Sequence, residues 1–108
     1  MARSKAEVAA IVDRFVKALQ KTLPVERVIL FGSYVKGTPQ PESDIDVAVI
    51  SPAFGRNPWE DRKLLYRTII FENLEPSIEP HPFAPADLKA PSPLLLEILR
   101  TGQTIYPA

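Results

Sequence analysis

The sequence has no cysteine among its 108 residues, which excludes disulfides, thiolate metal sites and a cysteine nucleophile. Its 13 basic and 13 acidic residues cancel, so no whole-chain positive field attracts nucleic acid or an anionic membrane. No stretch approaches the roughly 20 apolar residues of a membrane span, and the N-terminal region lacks the apolar segment of a signal peptide. We therefore expect a cytoplasmic protein whose partners include neither a membrane nor nucleic acid.

Helical and extended patterns alternate along the chain. Apolar residues recur at helical spacing after the capping box Ser4–Glu7, and short runs rich in β-branched residues predict buried strands. The predicted elements are helices over 5–22, 33–36, 59–73 and 94–100, strands over 27–31, 44–50 and 77–83, and a helical turn over 85–89. Pro80 and Pro82 interrupt the third strand and suit an edge strand or a bulge. Residues 104–106 are a candidate for one further short strand.

This order of elements predicts an α/β fold, which some schemes class as α+β. The three strands would form a small three-stranded mixed sheet flanked by helices. The length suits a single domain over residues 1–108, and no internal repeat or linker divides the chain. A homodimer is an open alternative to a monomer.

Two aspartates lie two residues apart at the start of the second strand. Because side chains alternate along a strand, Asp44 and Asp46 point to the same face. Two such carboxylates repel each other unless a cation lies between them. Mg²⁺ binds carboxylates together with phosphate oxygens, and a pair of ions can hold both reacting oxygens in phosphoryl transfer. The pair therefore predicts a magnesium site, with Glu79 on the third strand as the third carboxylate and Glu75 as the fallback.

A glycine–serine pair follows the first strand and offers a place for phosphate. Gly32 lets the backbone approach a phosphate closely, and a helix that begins at Ser33 directs free N–H groups toward it. The Ser33 hydroxyl could donate one more bond, and Lys36 could offer positive charge. A phosphate-binding turn beside a metal-binding carboxylate pair is typical of chemistry on a nucleoside triphosphate.

The residues and spacing of these motifs resemble those of the nucleotidyltransferase superfamily typified by DNA polymerase beta, and in particular its minimal nucleotidyltransferase (MNT) group. The family pattern is an apolar strand, Gly-Ser, a turn, Asp-x-Asp on the next strand and a third acid on the strand after. The matching residues here are Gly32, Ser33, Asp44, Asp46 and Glu79. The family often has arginine where Lys36 stands; lysine keeps the charge but loses the bidentate fork.

The resemblance implies both a reaction and a partner. An acceptor hydroxyl would attack the α-phosphorus of a nucleoside triphosphate, most simply ATP, and pyrophosphate would leave. Asp44, Asp46 and Glu79 would hold two Mg²⁺ ions, while Gly32, Ser33 and Lys36 would bind the nucleotide. Members of this size resemble the antitoxin of a HEPN/MNT toxin–antitoxin pair, so the implied acceptor is a tyrosine on a HEPN partner.

Two other functions remain open at this point. The chain could be a binding module that masks its partner without catalysis, which the prolines around Glu79 favour, or an antibiotic-modifying transferase, which the lack of an acceptor domain weakens. Single residues are less informative. His81 shares a face with Glu79 in a regular strand, but a surface or edge position is the commoner reading, and Trp59 and Tyr66 suit the core or an interface better than base stacking.

Overall fold

The computed structural model describes residues 2–107; Met1 and Ala108, the two ends of the predicted domain, lie outside the described residues. In chain order the elements are α1 (Lys5–Gln20), β1 (Arg27–Phe31), α2 (Ser33–Lys36), β2 (Ile45–Ile50), α3 (Pro58–Phe71), β3 (Ile78–Phe83), a 3₁₀ turn (Pro85–Leu88), α4 (Pro93–Thr101) and β4 (Gln103–Tyr106). The predicted helices and strands are therefore confirmed to within two residues at each end. Within this part of the chain, no helix is both long and apolar enough to cross a membrane.

The sheet contains four strands in the order β3-β2-β1-β4, so the three-stranded prediction is wrong by one strand. β4 pairs antiparallel with β1, and a tight turn at Gly102 makes this return possible. A Cβ on Gly102 would lie 2.5 Å from the Ile98 carbonyl oxygen and 2.6 Å from Ile29 Cγ2. The first two residues of β4 are exposed and the last two are half-buried, without a clear alternation, so their strand state depends on pairing with β1.

β3 lies at one edge of the sheet, as its prolines predicted, and it runs parallel to β2. The Ile45 N–H donates to the Ser77 carbonyl, and the Ser51 N–H donates to the Phe83 carbonyl. The odd-numbered residues of β3 thus form the hydrogen bonds to β2. Pro80 and Pro82 are even-numbered, so their lack of an N–H group removes no hydrogen bond to β2. The register pairs Asp46 of β2 with Glu79 of β3.

The two faces of the sheet carry different cores. One face packs against α1 and α3, and its buried residues include Val12, Phe15, Val47, Leu65 and Ile69. The other face packs against α4, and its smaller core consists of Ile29, Ala48, Ile50, Leu95 and Ile98. Because β2 alternates, Asp46 lies on the same face as Ala48 and Ile50. The carboxylates on this face therefore lie beyond the end of the smaller core.

Side-chain caps fix where the longer helices begin. At α1 the Ser4 N–H donates to Glu7 Oε1 over 2.8 Å, and the Glu7 N–H donates to Ser4 Oγ over 3.1 Å, which confirms the predicted capping box. At α4 Ser92 accepts from the Leu95 N–H, and Pro93 occupies the first helical position. The caps thus satisfy free N–H groups in the first turns of α1 and α4.

Candidate metal and nucleotide site

The three predicted carboxylates lie together at one end of the sheet. Asp46 and Glu79 are register partners on neighbouring strands, and Asp44 lies exposed just before β2. Burial raises the pKa of Asp46; the nearby His81 opposes this increase and Asp44 adds to it. Burial also raises the pKa of Glu79, and hydrogen bonding to Asp44 and the charge of Asp46 raise it further. Burial and mutual repulsion therefore disfavour the ionised forms of Asp46 and Glu79, and a bound cation would relieve this effect.

His81 joins this cluster, although sequence reasoning treated it as a surface or edge residue. It does lie on the edge strand, but its side chain is only 17% exposed. Its Nε2 lies 3.6 Å from Asp46 Oδ1 and 3.8 Å from Glu79 Oε1, and its ring packs against Phe31 with centroids 5.1 Å apart. Burial lowers the pKa of His81, although the Asp46 carboxylate works against this shift. The sequence signal that could have placed His81 here is its position two residues after Glu79, on the same face of the strand.

These side chains have the composition of a divalent-metal site. Asp46, Glu79 and His81 each offer a ligand atom, and these atoms lie within 4.8 Å of one another. The His81 Nε2 is buried and has no hydrogen-bond partner among the described residues. Carboxylate oxygens and a neutral imidazole nitrogen are both common ligands of divalent ions. The residues present therefore fit a metal ion, with His81 in the set and Asp44 beside it.

Gly32 joins the glycine turn to the carboxylates. Its φ of +84° lies in the left-handed region, which favours glycine. A Cβ on Gly32 would also overlap the Asp46 carboxylate. The turn continues into α2, where the Val35 and Lys36 N–H groups donate to the Gly32 carbonyl. Backbone conformation and close approach to Asp46 thus both require glycine, and the predicted phosphate-binding turn touches the predicted metal site.

Lys36 lies at the far end of this turn and faces α4. Its Nζ is 3.9 Å from Glu97 Oε1, and both side chains are largely exposed. Such an exposed pair stabilises little and leaves the lysine available to an anion. A cavity of about 160 Å³ between the turn and α4 is lined by Phe31, Gly32, Lys36, Leu94, Glu97, Ile98 and Thr101. This cavity adjoins the carboxylate face at Gly32.

Glu75, the fallback third carboxylate, has a different task. Its Oε2 accepts from the Ser77 N–H at 3.0 Å and from the Ser77 hydroxyl at 2.9 Å, and it lies 3.1 Å from the Arg3 guanidinium. It is absent from the group of side chains that could share a metal ion among residues 2–107. Glu75 therefore holds the turn into β3, and Glu79 is the acid that lies beside Asp46.

The outer face of α3 exposes large apolar side chains close to the carboxylates. We call it the α3 surface; it consists of Trp59, Arg62, Lys63, Tyr66, Arg67, Ile70 and Phe71. Trp59 is 69% exposed, which rules out the core position considered for it and leaves an interface or base stacking. Burial raises the pKa of Tyr66 and the charge of Glu79 raises it further, so Tyr66 lies within electrostatic reach of Glu79.

Solved structures with the same fold include a candidate nucleotidyltransferase from Sulfolobus solfataricus, with 16% identity and a TM-score of 0.64 over 82% of this chain and 83% of that chain. A toxin–antitoxin complex with AMP-PNP is 22% identical, with a TM-score of 0.61 over 89% of this chain and 73% of that chain. The MntA–HepT toxin–antitoxin complex is 18% identical, with a TM-score of 0.56 over 92% of this chain and 72% of that chain. At these identities the likeness shows the fold alone.

No curated protein matches the sequence. A family model described as a nucleotidyltransferase domain matches residues 12–87, which is most of the chain. The matched segment contains the glycine turn and the carboxylate cluster, namely Gly32, Ser33, Asp44, Asp46 and Glu79. The family expected from the motifs is thereby confirmed. This chain belongs to the nucleotidyltransferase domain family.

Proposed function

We propose that this chain transfers AMP from ATP to an acceptor hydroxyl in a Mg²⁺-dependent reaction. The observation that carries the proposal is the convergence of Asp44, Asp46 and Glu79 beside the Gly32 turn. A carboxylate cluster without a phosphate turn would suit many metal proteins, and such a turn alone would suit many nucleotide-binding proteins. Their contact through Gly32 and Asp46 supports a site where a metal ion and a triphosphate meet. A cytoplasmic location stays a prediction.

In the proposed reaction the acceptor oxygen forms a bond to the α-phosphorus of ATP while the bond to pyrophosphate breaks. Asp44, Asp46 and Glu79 would hold the two metal ions, which neutralise the phosphate charge and support both reacting oxygens. The Gly32–Ser33 turn would position the triphosphate, and Lys36 would add positive charge. Glu79 is our candidate to take up the acceptor proton, because a carboxylate beside the reacting centre can accept the proton of an acceptor hydroxyl held next to it.

We further propose that the acceptor is a tyrosine on a HEPN-type partner protein and that the chain acts as its antitoxin. Two solved complexes with this fold are toxin–antitoxin pairs, one of them with AMP-PNP. The α3 surface supports a protein partner, because Ile70 and Phe71 are 74% and 76% exposed. Arg62, Lys63 and Arg67 line the same surface and would favour acidic side chains on that partner.

The α3 surface also favours a second candidate function, in which the chain neutralises its partner by masking it. Masking needs the exposed apolar area and makes no use of the carboxylates. The carboxylate cluster favours catalysis instead, because a pure binding surface gains nothing from mutually repelling acids. Transfer to a small molecule such as an antibiotic is the lesser alternative.

The first experiment is calorimetric titration of the purified protein with ATP in the presence of Mg²⁺. We expect binding that requires the metal and is lost in Asp46→Asn. The matched control is Asp13→Asn, which alters an exposed acid of α1 whose one salt bridge among residues 2–107 is with Lys17. Wild-type protein that binds no nucleotide, or Asp46→Asn that binds as well as wild type, would contradict the proposed site.

The second experiment tests transfer directly. ATP labelled at the α-phosphorus is incubated with the protein and with a HEPN protein encoded beside its gene, and the labelled residue is found by mass spectrometry. We expect a tyrosine of the HEPN protein to gain AMP with wild type and with Asp13→Asn, but not with Asp46→Asn. A partner that is inhibited equally by wild type and by Asp46→Asn, without label, would support masking instead.

A further inference from the structure

The His81 nitrogen is in an unusual position for a group that lacks a bonding partner. Its Nε2 is buried, and no described residue offers it a hydrogen bond. The nearest acceptors, Asp46 Oδ1 at 3.6 Å and Glu79 Oε1 at 3.8 Å, are beyond hydrogen-bond distance. A buried polar atom left unpaired destabilises a fold. Something that contacts Nε2 and both carboxylates at once would remove this penalty.

The separations between these atoms match one shared metal ion. Ligand bonds of roughly 2.0–2.2 Å to a common divalent ion leave neighbouring ligand atoms about 3–4 Å apart. Both distances from His81 Nε2 fall in that range, and all three ligand atoms lie within 4.8 Å of one another. Packing against Phe31 holds the ring in this orientation. The site is therefore preorganised for one nitrogen and two oxygen ligands.

We propose that His81 is a direct metal ligand together with Asp46 and Glu79, and that it makes this position prefer a divalent transition-metal ion over Mg²⁺. The inference rests on the proposed function, because it takes the carboxylate cluster as the metal site. Imidazole nitrogen binds Zn²⁺ and its transition-series neighbours well, whereas Mg²⁺ prefers oxygen ligands alone. Asp44, which lies outside this set, would serve the second metal position.

The test uses the fact that His81 is the chain's only histidine. In tag-free protein labelled with ¹⁵N at histidine, the imidazole gives one set of signals, which are recorded as Zn²⁺ or Mg²⁺ is added. We expect Zn²⁺ to shift the Nε2 signal strongly with saturation at one equivalent, and Mg²⁺, which would bind the carboxylates without the imidazole, to shift it far less. An Nε2 signal that does not respond to Zn²⁺ would overturn the proposal without any need for a variant.

Two variants give a second measurement by calorimetry. Loss of a group that only orients a metal ligand lowers affinity by roughly 10–100-fold, so loss of the ligand itself in His81→Leu should weaken Zn²⁺ binding by at least about tenfold and weaken Mg²⁺ binding less. His81→Asp replaces nitrogen by oxygen and should move the preference toward Mg²⁺. If His81→Leu lost affinity for Zn²⁺ and for Mg²⁺ to the same extent, with the fold intact by circular dichroism, a selective ligand role for His81 would be contradicted.

The failures of the two proposals can be told apart. If wild type binds Mg²⁺ and ATP but the His81 Nε2 signal does not respond to Zn²⁺, the inference about His81 fails and the proposed function stands. If wild type binds neither ion and no ATP, the proposed function fails as well. Asp46→Asn should abolish the Zn²⁺-induced shift at His81, because it removes a shared ligand; a shift that survives would contradict the three-residue set.

Discussion

Asp46 is the residue at which function and stability conflict most directly. It is partly buried between Asp44, Glu79 and His81, and its pKa is raised chiefly by burial. Without a bound cation, its charge opposes folding. We expect Asp46→Asn to raise the stability of the metal-free protein by about 0.5–2 kcal/mol, in the range typical of stabilising substitutions. Urea unfolding in the presence of a chelator measures this.

With saturating metal, wild type should become more stable than Asp46→Asn, because ligand binding stabilises only the protein that retains the site. The Asp13→Asn control should match wild type under both conditions. An Asp46→Asn protein that is less stable than wild type in chelator would show that Asp46 supports the fold by itself, and that electrostatic repulsion is not the dominant effect.

A comparison of alanine variants at Gly32 and Gly37 distinguishes the effect of backbone strain from the effect of close contact with Asp46. Both have positive φ, +84° and +81°. A Cβ on Gly32 would overlap the Asp46 carboxylate, whereas a Cβ on Gly37 would meet nothing within 4 Å. Alanine at Gly37, where ψ is 19°, should destabilise the fold by about 1–2 kcal/mol through the left-handed backbone. Alanine at Gly32 should destabilise it more, because ψ is −150° there and the Cβ overlaps Asp46.

Only Gly32→Ala should also lose metal and ATP binding, because it displaces Asp46. The measurements are urea unfolding and calorimetry on the two variants. If Gly37→Ala lost metal binding to the same extent, the contact between Gly32 and Asp46 would not be the cause.

At the residue scale, the sequence could predict Gly32, Asp44 and Asp46, because their spacing along two adjoining elements defines the motif. It could not place His81. The distance from His81 to Asp46 depends on the register of β2 with β3, which pairs Ala48 with His81. Register across a parallel pair is set by tertiary packing and not by local sequence.

The turn into β3 depends on Glu75. Hydrogen bonds from the Ser77 N–H and hydroxyl, together with the charge of Arg3, hold the pKa of Glu75 below its ordinary value of 4.5. A folded-state pKa below the unfolded value means that the ionised carboxylate stabilises the fold above pH 4.5. That contribution is lost as the pH falls through the lower, folded-state pKa.

We therefore expect Glu75→Gln to be less stable than wild type at neutral pH, by at most about 1 kcal/mol because the group lies near the surface. The difference should shrink as the pH falls below 4.5. Urea unfolding between about pH 3 and pH 7 measures it, and Glu42→Gln, which alters an exposed acid, is the control. A difference that stays constant with pH would mean that Glu75 acts through packing and not through charge.

At the element scale, periodicity and capping residues were enough to locate α1, α3, β1 and β2. Their apolar patterns are long or strongly β-branched, so local preference and tertiary burial agree. β4 was only a candidate, because four residues, two exposed and two half-buried, carry little pattern of their own. Its formation depends on the Gly102 turn, which brings it beside β1.

At the scale of the whole molecule, the α3 surface and the carboxylate site lie side by side. The charge of Glu79 reaches Tyr66, and the charge of Arg62 on the same helix lowers the pKa of His81, an effect smaller than that of burial. A protein docked on the α3 surface would therefore bring its side chains to the site. The sequence could not predict this, because the exposure of Trp59 follows from which face of α3 packs on the sheet.

The final prediction concerns a HEPN partner that presents apolar and acidic side chains to the α3 surface. Phe71→Asp puts a charge in the exposed apolar area and opposes those acids, so it should weaken partner binding by at least about tenfold, as loss of a central interface residue does. Leu96→Asp on α4, at a side chain that is 45% exposed and lies outside this surface, is the matched control and should bind normally. Calorimetry with the purified partner measures both.

Phe71→Asp should retain ATP binding, because Phe71 lies outside the carboxylate cluster, and it should lose transfer only through loss of the partner. Asp46→Asn should do the opposite and keep the complex without AMP transfer. The α3 surface could instead bind a second copy of this chain, which size-exclusion chromatography of the chain alone tests. A dimer that Phe71→Asp converts to monomer would assign the α3 surface to self-association. A partner that binds Phe71→Asp as tightly as wild type would place the docking surface elsewhere on the molecule.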